Sequence, residues 1–247
     1  MKIKNTMSRP ELIVMLTHHD FTVTDAARIF ESCKESNARF WGMKEHPLPP
    51  QEMRHLYTRM KECGKTTFLE VVSYTEEEGL AGAELAVSCG CDVLMGTCFF
   101  DSINEFCLAH NLKYMPFVGK VTNRPSILSG SFDDMVAEAH KILDKGVYGI
   151  DLLGYRYDGD ALKMIQFFIE KVKAPICLAG SINSAERLAE VRAVGPWTFT
   201  IGSAFFEGKF LERNTNMEDM AADSPLRLSL LCEQINRVCD YMANGII

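Results

Sequence analysis

Two glycine-serine pairs stand out among the residues that could do chemistry, Gly180-Ser181 in Leu178-Ala179-Gly180-Ser181-Ile182 and Gly202-Ser203 in Thr200-Ile201-Gly202-Ser203-Ala204. Each follows a short apolar run. Glycine lets backbone N–H groups approach an anion closely, and a helix starting after the turn adds a favourable dipole. Phosphate is the anion such turns suit; the plainer reading is two tight turns that need glycine for geometry alone.

Charged residues at the ends of other apolar runs supply candidates for acid–base work. Lys44 ends Phe40-Trp41-Gly42-Met43-Lys44, and Lys120 follows Val118-Gly119. A lysine that is desolvated or set beside another cation loses pKa and can form a Schiff base or act as an acid. Otherwise it pairs with a carboxylate or with a substrate phosphate. Glu70 and Asp151 sit inside apolar runs, where a carboxylate is rarely left unpaired. Glu70 is therefore a general base with raised pKa or half of an ion pair with Lys44, and Asp151 follows the same logic. Asp20 lies at a turn, as a catalytic carboxylate or as a cap for the next helix. His18 and His19 are adjacent, so a continuous strand would send them to opposite faces and make no metal site.

These residues need a scaffold that brings them together, and the chain carries a repeating one. Short β-branched apolar runs alternate with stretches of helical spacing eight times. The strand runs are 12–20, 38–44, 66–73, 92–97, 113–119, 149–155, 175–182 and 197–202. Helices are expected at about 24–35, 50–63, 76–89, 102–110, 132–145, 159–172 and 184–194. Thr75 before three glutamates, and Asn183 or Ser184 before Ala185-Glu186, read as helix N-caps; Gly64, Gly90, Gly146 and Gly195 read as left-handed stops.

Eight strand–helix units in 247 residues predict an α/β chain folded as one (β/α)8 TIM barrel, whose usual length is about 250 residues. The barrel should run over about 12–206, with a closing helix at about 224–243 and no second domain. The rival, a doubly wound open sheet, in its dinucleotide-binding form wants G-x-G-x-x-G after the first strand, where this chain has His18-His19-Asp20-Phe21. In a barrel the site lies at the C-terminal strand ends, with phosphate often held after strands 7 and 8, where the two Gly-Ser pairs fall. Period-2 alternation puts Phe40, Gly42 and Lys44 on one face, Tyr114, Pro116, Val118 and Lys120 on another, and Asp151, Leu153 and Tyr155 on a third; each set is expected to face inward. The loop over 119–131 is long enough to serve as a lid, with Arg124 or Arg156 as an anion clamp.

At these residues the chain resembles the ribulose-phosphate-binding barrel superfamily. Pro175 to Phe206 is similar to the last quarter-barrel of its isomerases, epimerases and synthases, above all N-acetylmannosamine-6-phosphate 2-epimerases and the phosphoribosyl isomerases of histidine biosynthesis. The lysine-ending run Phe40–Lys44 is also similar to the second strand of those epimerases. The resemblance implies phosphate binding. It departs where the epimerase pattern has a Glu before the strand-7 glycine, here Ala179, and where the isomerase pattern has a strand-5 Asp, here replaced by Val118-Gly119-Lys120. Asp20 matches the isomerase's first-strand Asp.

Bulk composition narrows the class. A net charge of −7 supplies no basic footprint for nucleic acid. No run of about 18 apolar residues and no leader-like start occur, so a cytoplasmic chain without membrane insertion is expected. Nine cysteines, mostly within apolar runs, read as reduced buried thiols, and Cys89-x-Cys91 lacks the second pair that zinc would need. No cofactor is expected; the partner is a phosphorylated small molecule, with a homo-oligomer open. The expected activity is isomerase- or epimerase-type carbonyl chemistry. A Schiff-base aldolase or other carbon–carbon lyase using Lys44 or Lys120, and a non-catalytic barrel that binds a phosphometabolite, stand as alternatives.

Overall fold

The computed structural model describes residues 9–212, 215 and 217–245. Eight parallel strands form the barrel: β1 (Glu11–Met15), β2 (Phe40–Lys44), β3 (Thr66–Val71), β4 (Val93–Gly96), β5 (Lys113–Met115), β6 (Ile150–Leu152), β7 (Ile176–Leu178) and β8 (Thr198–Ile201). Hydrogen-bonded ladders run in the order β6-β7-β8-β1-β2-β3-β4-β5. The last seam, between β5 and β6, closes without a ladder. There Tyr148 N–H donates to Tyr114 O (2.9 Å) and Asp151 N–H to Pro116 O (3.0 Å). Pro116 has no N–H to return, so regular pairing cannot extend past it.

The helices pack outside: α1 (Ala26–Cys33), α2 (Pro50–Glu62), α3 (Glu76–Cys89), α4 (Asp101–Ala109), α5 (Phe132–Leu143), α6 (Ala161–Lys171), α7 (Ala185–Val194), the short α8 (Ser203–Phe206) and α9 (Pro225–Asn244). Their ends follow the capping chemistry read from the sequence. Thr75 accepts the Glu78 N–H and Ser184 that of Arg187, while Gly90 and Gly195 end their helices at φ +70° and +71°. None of the helices is long and apolar enough to cross a membrane, among the described residues.

Strand alternation divides the core in two. Ile13, Met15, Phe68, Val93, Met95, Met115 and Cys177 fill the barrel interior. The opposite faces, such as Trp41 edge-on to Phe30, meet the helices. Each such fully buried side chain contributes roughly 1.5–3 kcal/mol.

The structure departs from the expected elements in four places. The run 12–20 is not one strand: β1 stops at Met15, and Thr17–His18 then folds back on Phe21–Thr22 as a hairpin. The segment after β5 is likewise a hairpin, Lys120–Thr122 against Ile127–Ser129, rather than a structureless loop. In β5 the inward residue is Met115, not Tyr114, whose hydroxyl bonds Thr97 Oγ1 at 2.6 Å on the helix side. Not all thiols are free: Cys33 on α1 and Cys232 on α9 form a disulfide.

Candidate active site at the strand ends

A cavity of about 590 Å³ opens at the C-terminal ends of the strands. Three charged residues from separate segments meet in it. Lys44 is the last residue of β2, and its register partner on β3 is Glu70, so the two side chains leave neighbouring strands on the same inner face. Lys44 Nζ stands 3.9 Å from Glu70 Oε2 and donates to Asp20 Oδ1. Asp20 reaches it because the hairpin tip passes through the left-handed region at His19 (φ +49°) and Asp20 (φ +71°). It does not cap α1, whose N-cap is Asp25.

Burial and charge decide the protonation states. Burial alone would lower the Lys44 pKa, but Glu70 and Asp20 outweigh it and the net shift is upward, so Lys44 is held as an ammonium. Glu70 goes the other way: burial raises its pKa, and Lys44 only partly offsets this. Asp151 lies deeper. It is in register with Cys177 on β7, faces the interior and has no solvent exposure. Burial first, then the Glu70 charge, push its pKa well above the usual carboxylate range. Neither of its oxygens has a hydrogen-bond partner; the Gly96 amide is near but outside bonding geometry. Asp151 thus lies beneath Lys44 and Glu70, where burial favours its protonated form, rather than in the cavity wall.

The opposite wall is made by the two glycine turns. Gly180 (φ +87°) and Ser181 (φ +55°) follow β7, and Gly202 and Ser203 follow β8; all four line the cavity. Among the described residues the amides of Gly180, Ser181 and Gly202 donate to no protein acceptor. Gly202 is required by close approach and Gly180 by its left-handed backbone. A Cβ on Gly202 would stand 2.4 Å from Thr17 Oγ1, and one on Gly180 2.8 Å from Arg156 Cγ. Arg187 bonds the Ser181 carbonyl and fixes that turn from outside. Spare amides on two adjacent strand ends, followed by the short α8, make a cradle suited to an oxyanion.

Arg156, in the 3-10 turn Gly154–Arg156, and Arg124, on the second hairpin and held by the Val72 carbonyl, add positive charge to the rim. The cavity therefore joins a cationic, amide-rich side to a carboxylate–lysine side.

Of the residues singled out from the sequence, Lys44, Glu70, Asp20, Gly180, Ser181, Gly202 and Ser203 meet in this one cavity, with Asp151 below. Lys120 does not join them. It is exposed on the second hairpin opposite Ser129, because β5 ends at Met115 and alternation carries no parity beyond it. Tyr155 also points away, donating to Glu190 on α7 at 2.8 Å. His18 and His19 lie on the same side, their rings stacked at 3.8 Å, since the turned backbone at His19 breaks strand alternation. Sequence reasoning missed Glu207 and Asn183 on the cavity wall; each follows a Gly-Ser pair closely, the only signal that could have found them.

The architecture, compared with solved structures, is similar to the tryptophan synthase alpha chain from Legionella pneumophila subsp. pneumophila, at a TM-score of 0.67 and 13% identity over 96% of this chain and 92% of that one. It is similar to the N-acetylmannosamine-6-phosphate 2-epimerase from Clostridium perfringens (0.58, 12%, 78% and 86%) and to orotidine 5'-phosphate decarboxylase from Pyrococcus horikoshii OT3 (0.57, 11%, 91% and 98%). The chain shares their fold. At this identity the likeness is one of fold alone, and no family model and no curated protein matches the sequence.

Proposed function

We propose that the protein is an enzyme acting on a small phosphorylated, sugar-like substrate by carbonyl chemistry of the isomerase or epimerase type. The observation that carries this reading is that the amide-rich turns after β7 and β8 share one cavity with Lys44, Glu70 and Asp20. The names of the structural neighbours, several of which are enzymes of phosphorylated compounds, agree with it.

In this reading the substrate phosphate takes the spare amides of Gly180, Ser181 and Gly202, with Ser203 and Arg156 beside them. The carbonyl then lies toward Lys44. Glu70, as carboxylate, removes the proton from the adjacent carbon; the electron pair of that C–H bond moves to the carbonyl, and Lys44 hydrogen-bonds the enolate oxygen that forms. Returning the proton to the former carbonyl carbon, while the neighbouring hydroxyl proton passes to the enolate oxygen, completes isomerisation; for epimerisation the original carbon takes a proton from water on the opposite face. A raised pKa on Glu70 suits a base that must both take and return a proton. Asp20 holds the Lys44 ammonium, and Asp151 keeps a proton beneath the pair.

The imine route is less well served. Attack on a carbonyl needs a neutral amine, and two carboxylates keep Lys44 charged. Lys120 stands outside the cavity.

Incubation in deuterated water with a panel of ketose and aldose phosphates, followed by proton NMR, tests the reading. Deuterium should enter next to the carbonyl of the true substrate, and Glu70→Gln should abolish the exchange. Tight phosphosugar binding without exchange on any panel member would replace the enzyme with a binding barrel. A borohydride-trapped adduct on Lys44 would replace it with a lyase.

A further inference from the structure

A second constellation lies beside the cavity, made of groups that the proposed reaction does not use. The turned backbone of the first hairpin brings His18 and His19 to one side, and Glu218, from the segment before α9, approaches them. His18 Nε2 stands 3.8 Å from Glu218 Oε1. One nitrogen from each histidine and a Glu218 oxygen all lie within 4.8 Å of one another. His18 Nε2 is shielded from solvent and has no hydrogen-bond partner.

Two imidazoles and a carboxylate are the donor set of a three-ligand zinc site with an open fourth position. Donors about 2.1 Å from a tetrahedral ion stand about 3.4 Å apart, so the His18–Glu218 gap needs only a small closing movement. The neighbouring charges permit a cation. Glu207 adds a second carboxylate near His18, and Arg227 is engaged by Asp25 at 2.8 Å while lying over the Phe206 ring.

We propose that His18, His19 and Glu218 bind a divalent transition-metal ion of the zinc type at the rim of the cavity. The His19 N–H donates to Ser203 Oγ at 3.2 Å, and both residues line the cavity. The ion therefore lies next to the turn after β8, and its open position suits an oxygen of a bound phosphate. That last role rests on the function proposed above; the metal site does not.

The test uses the full chain stripped with a chelator and kept free of phosphate. Zn²⁺ is titrated by calorimetry and Co²⁺ by absorption spectroscopy. One ion per chain is expected, with Co²⁺ bands that lack thiolate charge transfer. His19→Ala and Glu218→Gln change exposed side chains, and the melting temperature of each is measured alongside so that lost ligation is told from lost fold. Each should weaken binding by at least about tenfold, the loss that even an outer partner of a metal ligand brings. Absence of stoichiometric binding, affinity unmoved by both substitutions, or a thiolate signature from the free cysteines would overturn the site. Inorganic phosphate is then titrated into stripped and loaded protein. Phosphate bound without any metal uptake sinks the metal site and spares the cradle; metal uptake without phosphate binding does the reverse.

Discussion

Lys44 is placed so that its charge is set by two carboxylates, and this makes it the residue whose loss should be felt most sharply. Lys44→Met removes the group that would stabilise an enolate oxygen, and loss of one such oxyanion donor costs roughly 10²–10³-fold in rate. The expected outcome is a fall of that order in kcat on the identified substrate, with a smaller change in KM, since the phosphate cradle is untouched. A fall in KM-dependent binding alone would place Lys44 on the phosphate instead. Asp151 gives a prediction of a different kind. Its folded pKa lies above that of the unfolded chain, about 3.9, so the folded state holds the proton more tightly. The associated stability is complete below that value and is lost as pH rises through the folded pKa. Asp151→Asn carries no such proton. Melting temperatures measured from pH 4 to pH 8 should show the variant gaining on the wild type as pH increases, and a gap that stays constant would mean the carboxyl is not held neutral.

The strand–turn elements decide which side chains share the cavity. Gly202 ends β8 against Thr17, at the base of the first hairpin. Gly202→Ala should displace that contact and weaken binding of phosphorylated ligand by about tenfold, equivalent to about 1.4 kcal/mol. Calorimetry with inorganic phosphate checks it, and unaltered affinity would move the anion elsewhere. The same elements explain what could be read in advance. The alternation of runs, the caps at Thr75 and Ser184 and the two Gly-Ser turns are local signals, and local signals were enough for the barrel and for finding both turns that line its cavity. Lys44 came from period-2 reading because β2 is long enough to keep phase, and Glu70 from its place as a carboxylate inside an apolar run. Lys120 was misplaced because β5 has only three residues before Pro116, and phase is lost where the strand ends. The shared side of His18 and His19 and the approach of Glu218 to them were hidden for another reason. They depend on left-handed backbone at non-glycine residues and on a contact across about two hundred positions, neither of which leaves a pattern in the neighbouring sequence.

At the scale of the whole molecule, the Cys33–Cys232 bond ties α1 to α9 across 199 residues. It closes the chain's two ends over β1, where α9 also packs. Cross-links of this kind typically contribute about 2–4 kcal/mol by restricting the unfolded chain. Peptide mapping without reductant should recover the linked pair, and dithiothreitol should lower the melting temperature measurably; a thiol count that finds both cysteines free in the native protein would remove the bond from the account.

The join between β5 and β6 has a consequence for the acid buried next to it. Its backbone bonds are all donated from the β6 side, by Tyr148, Gly149 and Asp151, so the ring is buttoned there by a single row. Fluctuations that part the wall should start at that row, which would make those amides trade hydrogen for deuterium sooner than the ladder-paired amides of β2 and β3. The Asp151 amide belongs to that row, so the same parting loosens the backbone that keeps its carboxyl in the barrel interior.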